Sequence, residues 1–297
     1  AVFPTHLQRG TAMSIMVGEA VLVSFAGLIF RSMEHANIWQ ISFYRGLVLI
    51  GTISLILFLQ YHTKIFSHIF RIGAPGFIAG TLMAVAQLCY IESMTHTTIA
   101  NTVFTMSAIP FITAALARIF LKEKLRRATM FTMAVAALGI YIMIAEGLKI
   151  GSLYGILMAA AAAFSFSCFA VIVRQHRGIN MLPVLLISGL VNSIVGLFLL
   201  DNNFKISTND LMLCILWGAL IQSLGFYLFI LAAQSLVAAE LTLFMLLEFS
   251  LGPIWVWLGV GETPTLDTLI GGTLVLFSVS LLTFNELRGD TPNKTQR

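Results

Sequence analysis

Residues 152–173 read SLYGILMAAAAAFSFSCFAVIV, an unbroken run without a charged side chain, and Arg174 follows at once. At 1.5 Å per residue, a helix of about 22 residues covers roughly 33 Å, enough for the ~30 Å hydrocarbon core of a bilayer. Lipid offers no hydrogen bonds to an open backbone, so such a run is stable there as a helix. Comparable runs recur on both sides, separated by short polar or Gly/Pro-marked breaks. They cover 11–30, 38–60, 70–93, 98–121 and 128–146 before it, and 182–200, 211–234, 239–260 and 267–286 after it. The pattern predicts an all-α integral membrane protein of ten transmembrane helices.

Composition points the same way. The chain of 297 residues is 58% hydrophobic and 10% charged, with a mean hydropathy of +0.93, whereas a soluble domain carries about 25% charged residues. Cys89, Cys168 and Cys214 all fall inside apolar runs, which provides neither a disulfide framework nor a zinc cluster. The first ten residues are polar and lead into a full-length span without a small-residue cleavage site, so no removed leader is expected.

The net charge of +4 is topological. Basic residues resist translocation. With the N-terminus inside, the cytoplasmic segments hold Arg9, Lys64, Arg71, Lys122, Lys124, Arg126, Arg127, Arg174, Arg177, Arg288, Lys294 and Arg297. The opposite side holds only Arg31, Lys149 and Lys205, and Arg45 and Arg118 lie within spans. Both termini are therefore expected in the cytoplasm, in a multi-pass protein of the cell (inner or plasma) membrane. The run Lys122 to Arg127 needs no nucleic acid to explain it, since contact with anionic lipid suffices.

The two halves resemble each other. At an offset of 143, residues 20–48 match in eight of 29 positions, including Arg31/Arg174, Asn37/Asn180 and Gly46/Gly189. Farther on, an offset of 139 superposes Glu123 on Glu262. Five spans per half is an odd number, so the second half enters from the opposite face, giving two inverted five-helix repeats over 1–146 and 151–288 with a polar cytoplasmic tail at 289–297. Inverted halves let one bundle rock against the other around a midplane site.

Several local patterns resemble a known family. They are Phe43-Tyr44-Arg45, the stretch Thr97-Thr98-Ile99-Ala100-Asn101 to Ile109-Pro110, and Phe120-Leu121-Lys122-Glu123-Lys124. In the second half they are Ala238-Ala239-Glu240 to Leu247-Glu248 and Gly259-Val260-Gly261-Glu262. Together they resemble the drug/metabolite transporter superfamily, and within it the EamA-type bacterial permeases, over nearly the whole chain. One departure is that Phe249 follows Glu248 where the family commonly has proline, and the proline comes at Pro253. The resemblance implies a secondary transporter of small polar metabolites, often an exporter of amino acids or related compounds. An importer, driven by protons or by exchange, is the alternative within transport.

The candidate site residues are those whose burial in lipid has to be explained. Glu19 and Glu248 lie near the middle of spans one and nine, each about 15 Å from either surface at 1.5 Å per residue. A charge there costs roughly 2.5–3.5 kcal/mol, so each carboxyl either couples protons, faces a cationic substrate group, or pairs with a polar neighbour to fix packing. All six histidines fall in the tail or in loops, which leaves these two glutamates as the proton-coupling candidates. Arg45 could fork onto a substrate carboxylate, or pair with Glu92 or Glu19.

The remaining candidates share helix faces. Gln87 and Tyr90 recur with Gly80 and Met83 on span three, and Asn101 with Thr97 and Thr105 on span four. Gln222 and Phe226 align with Phe229 on span eight, and Glu248 and Trp255 with Phe244 and Gly252 on span nine. Such faces suit a cavity for a small amphipathic solute; polar groups also serve simply to hold helices together.

There is no Walker loop, no HExxH pair and no Gly-x-Ser-x-Gly elbow, so neither an enzyme nor a cofactor or metal is expected. The partners expected are a small-molecule substrate, membrane lipids and, as an open alternative, a second copy in a homodimer. A membrane enzyme acting on lipid-linked groups is the rival from another class, and a receptor or scaffold without flux is the third.

Overall fold

Proline lacks the N–H that the helical ladder requires, and this chain places Pro110 in the first turn of one helix and Pro253 inside another. The computed structural model describes residues 8–61, 70–97, 99–122, 127–147, 153–176, 178–201 and 203–261, together with 266, 269–270, 273–274, 277–278 and 281. The tail, Glu123, Glu262 and most of the expected tenth span lie outside the described residues.

Among the described residues the chain is helical and forms no strand. The elements are α1 (Arg9–Val23), α2 (Ala26–Arg31), α3 (Ile38–Tyr61), α4 (Gly73–His96), α5 (Ile99–Met106), α6 (Ile109–Phe120), α7 (Arg127–Gly147), α8 (Leu153–Gln175) and α9 (Val184–Leu199). Then come α10 (Thr208–Leu216), a π-helical segment (Trp217–Leu224), α11 (Gly225–Ala232) and α12 (Ala238–Val260). Six stretches are long and apolar enough to cross a membrane: Arg9–Arg31, Ile38–Tyr61, Gly73–His96, Leu153–Gln175, Thr208–Ala232 and Glu240–Val260. Ile109–Phe120 and Val184–Leu199 are shorter apolar helices.

Two of the expected spans are broken. The first is interrupted at Ser24–Phe25, where the Ser24 hydroxyl donates to the Val21 carbonyl at 2.6 Å. The fourth breaks at Ser107–Ala108, just before Pro110 in the first turn of α6, where the proline has no N–H to give the Met106 carbonyl four residues back and its ring crowds that carbonyl. In contrast, α12 runs on through Pro253, and the helix does not break at 249.

The outer surface is apolar. Phe58, Leu59, Phe77, Phe131, Leu157 and Phe198 are exposed, an arrangement that only lipid would favour over water. Inside, α3 packs on α9, and α4 packs on both α8 and α9. α8 receives α5 and α6, while α1 lies against α11 and α12. The π segment and α10 pack on α3.

Polar ties close both ends of the bundle. At one end, the Asp210 carboxylate accepts the backbone N–H groups of Glu34 and His35 at 3.1 Å each. Nearby, Gln40 Nε2 donates to the carbonyls of Asn203 and Lys205 at 2.9 Å, and the Tyr44 hydroxyl donates to that of Phe204 at 2.6 Å. At the other end, Arg9 pairs with the fully buried Glu240 at 2.6 Å, and Arg174 Nη1 donates to the Ala233 carbonyl at 3.0 Å.

Candidate functional site

A helix with lipid on one side and protein on the other must turn its ionisable residues inward. On α1 the buried residues Ala12, Met13, Met16, Glu19 and Ala20 recur at helical spacing and carry Glu19 into the bundle. On α3 the stripe Ile41, Ser42, Arg45, Gly46, Leu49 and Ile53 carries Arg45. On α4 the buried run through Gly80, Met83, Ala86 and Gln87 carries Gln87.

These stripes converge on one cavity, with about 90 Å³ open to the centres of water molecules. Of the candidates, Glu19, Arg45, Gln87, Tyr90, Gln222, Phe226 and Glu248 all line it. The rest of the wall is mainly apolar, from residues that include Met83, Phe166, Ile221 and Met245. Such a site holds a few waters or a small solute with an apolar body.

The polar groups of the wall are left unpaired to an unusual degree. Glu19 Oε2, Glu248 Oε2, Arg45 Nε and Nη2, Gln87 Nε2 and Gln222 Oε1 are all enclosed and have no hydrogen-bond partner. Buried polar groups are almost always satisfied, so a cluster of exceptions around one cavity calls for an occupant. Gln87 Oε1 is engaged by Asn192 Nδ2, a residue of α9 that helical spacing did not single out.

The wall carries both acidic and basic side chains, Glu19 and Glu248 together with Arg45. Glu19 and Glu248 are near enough to sense each other's charge. Tyr90 is within electrostatic reach of both Glu248 and Arg45, and Arg45 has Cys214 and Tyr90 as its electrostatic neighbours. Arg45 makes no ion pair among the described residues. Its guanidinium lies 4.7 Å from the Trp217 ring centroid, a cation–π contact that leaves fork nitrogens free for an anion. Glu92, considered above as its partner, sits instead 3.6 Å from His96 Nδ1 and accepts from the Tyr154 hydroxyl at 3.3 Å.

One candidate, Trp255, does not join the site, and the side-chain placement of another, Asn101, is not described. Trp255 stacks on Phe25 at 4.6 Å and donates from Nε1 to the Ser24 hydroxyl at 2.7 Å, which holds it at the break in the first span rather than in the cavity. Asn101 lies on α5, and its side chain is outside the described residues. Phe229 and Phe244, expected on the polar faces, are fully buried in the core; Phe229 is edge-on to Phe166 at 5.5 Å.

Trp217 is the wall residue that spacing could not reveal. Nine residues separate it from Phe226, which at about 100° each puts the two on opposite faces of an α-helix. The wider i→i+5 turns of the π segment between them bring both to the cavity.

Comparison with known proteins gives three findings. Residues 10–145 match the EamA-like transporter family. No curated relative matches the chain. One solved crystal structure superposes with a TM-score of 0.76 at 14% identity, covering 96% of this chain and 100% of that one, which is a likeness of fold alone. With its apolar helices and lipid-compatible surface the chain is a multi-pass membrane protein, and its first half, residues 10–145, is similar to the EamA-like transporter family.

Proposed function

We propose that the chain is a ten-span secondary transporter that moves a small zwitterionic or cationic metabolite, such as an amino acid or related compound, by alternating access through this cavity. The observation that carries the reading is the cluster of unpaired Glu19, Glu248 and Arg45 atoms around one mainly apolar space. A solute ammonium suits the two carboxyls, a solute carboxylate suits the Arg45 fork, and an apolar side chain suits Phe166 and Met245. Glu19 and Glu248 are the proton-coupling candidates. Export is the proposed direction, with both termini in the cytoplasm of an inner-membrane protein, in keeping with the family resemblance and the loop charges.

Helix pairing supports two inverted five-helix halves. Exchanging spans one to five with six to ten turns the packing of α4 on α8 into that of α11 on α1. It likewise turns α6 on α8 into α12 on α1, and α4 on α9 into the π segment on α3. The α3–α9 pair maps onto itself.

The test uses full-length protein in proteoliposomes, with counterflow of labelled amino acids and amines, alongside thermal shift in detergent with the same compounds. A bound solute stabilises by mass action. We expect at least one zwitterion or amine to raise Tm and to exchange, and Glu248→Gln and Arg45→Ala to weaken both. Hits indifferent to Glu19, Glu248 and Arg45, or a panel with no hit, would sink the reading.

A further inference from the structure

Two chambers meet at Glu248. The larger is the cavity already described. The smaller, of about 20 Å³, adjoins it and shares Val23, Ala26, Tyr90, Glu248 and Phe249 with it. Its own wall includes Gly27, Ile99, Val103, Gly252 and Pro253. These residues belong to the stretches of α2, α5 and α12 next to Arg31, Ile99 and Val260, so the chamber runs from Glu248 toward the end of the bundle closed by Asp210.

Its size selects its occupant. A water needs roughly 10–15 Å³ of such space and two to four polar partners, so this chamber admits about one water and excludes an amino-acid-sized solute. Polar partners are present. Glu248 Oε2 is enclosed and unpaired. The Phe249 carbonyl has lost its ladder donor, because Pro253 four residues on has no N–H. Tyr90 brings a hydroxyl-bearing side chain. Among the described residues, the titratable groups sharing a cavity lining with Glu248 are Glu19 from α1, Arg45 from α3 and Tyr90 from α4. The lining residues from α2, α5 and α8 are apolar.

Resting on the transporter reading of the larger cavity, we propose that the small chamber is the proton's path to Glu248, separate from the space the solute occupies. A hydronium in the chamber gives one proton to the ionised carboxyl, leaving a neutral water and a neutral Glu248. The reverse transfer to water releases it. Proton and solute then reach one carboxyl from two sides, and neither has to leave for the other to arrive.

The test is hydrogen–deuterium exchange at the Glu248 carboxyl, read by infrared spectroscopy of the full-length protein in lipid. The protonated-carboxyl band that vanishes in Glu248→Gln identifies the group. Gly27→Ala and Gly252→Ala add methyls at the small chamber, with Cβ contacts of 3.6 Å to Val256 and 3.7 Å to the Ser24 carbonyl, ordinary distances that the fold accommodates. Ala86→Leu fills the larger cavity instead. Exchange in the double glycine variant is expected to slow by about tenfold or more, ~1.4 kcal/mol in barrier, and to keep its wild-type rate in Ala86→Leu. If Ala86→Leu slows exchange, if the double glycine variant does not, or if no Glu248 band appears at any pH, the proposal is overturned. A band that answers to sodium at fixed pH overturns it as well, assigning the chamber to a metal cation. Counterflow measured on wild-type protein reports separately on the transporter reading, so the two failures are distinguishable.

Discussion

Gly46 and Gly189 stand backbone to backbone: a Cβ on Gly46 would come within 2.9 Å of the Gly189 carbonyl oxygen, and a Cβ on Gly189 within 3.1 Å of that of Gly46. The same two residues align with each other in the comparison of the halves. Reciprocal contact between equivalent positions is what a twofold axis imposes at an interface, and it supports the inverted-repeat reading from a direction independent of hydropathy. Gly46→Ala and Gly189→Ala force backbone atoms apart and should each cost about 1–3 kcal/mol, seen as a lower Tm in detergent. Gly18→Ala, with nothing within 4 Å of its added Cβ, should be neutral or mildly stabilising.

Gln87 and Asn192 form a buried amide pair beside the cavity. Asn192→Ala strands the Gln87 carbonyl and should cost about 1–3 kcal/mol. Gln87→Leu with Asn192→Leu removes both partners and should cost less than the sum of the single changes. A double-mutant cycle in thermal unfolding measures the difference.

Asp210 holds the turn after α2 through the N–H groups of Glu34 and His35, and it receives support from Ser207, whose hydroxyl accepts the Asp210 N–H at 3.0 Å. Asp210→Ala removes two charge-assisted bonds, each worth roughly 1.5–3 kcal/mol. The expected outcome is faster protease cleavage within residues 32–37, with solute binding at the midplane retained.

Trp255→Phe should keep the stack on Phe25 and lose only the bond to Ser24, at about 1 kcal/mol. Since Trp255 lies off the cavity, a solute's thermal shift should be unchanged. A weakened shift would return Trp255 to the site.

Much of the site was legible in the sequence because lipid makes ionisable side chains point inward. Glu19, Arg45, Gln87 and Glu248 follow from depth and helical spacing alone. Aromatic positions carry no such constraint. Phe229 and Phe244 share the same stripes and went to the core, while Trp255 was taken by a hydroxyl that the break at Ser24–Phe25 presents. The break in the first span was equally hidden, since an apolar run looks continuous whether or not the helix inside it is; that in the fourth had Pro110 beside it as a sign.

The π segment between Trp217 and Leu224 uncouples the angular phase of the two parts of span eight. Losing a single residue there would barely alter composition, hydropathy or length. It would nonetheless rotate Trp217 relative to Phe226 and take the aromatic face from under Arg45. Sensitivity to insertion and deletion usually marks where strands pair and helices abut, and tolerance marks loops. In this chain the mid-span turn is the place where the count of residues matters more than their kind.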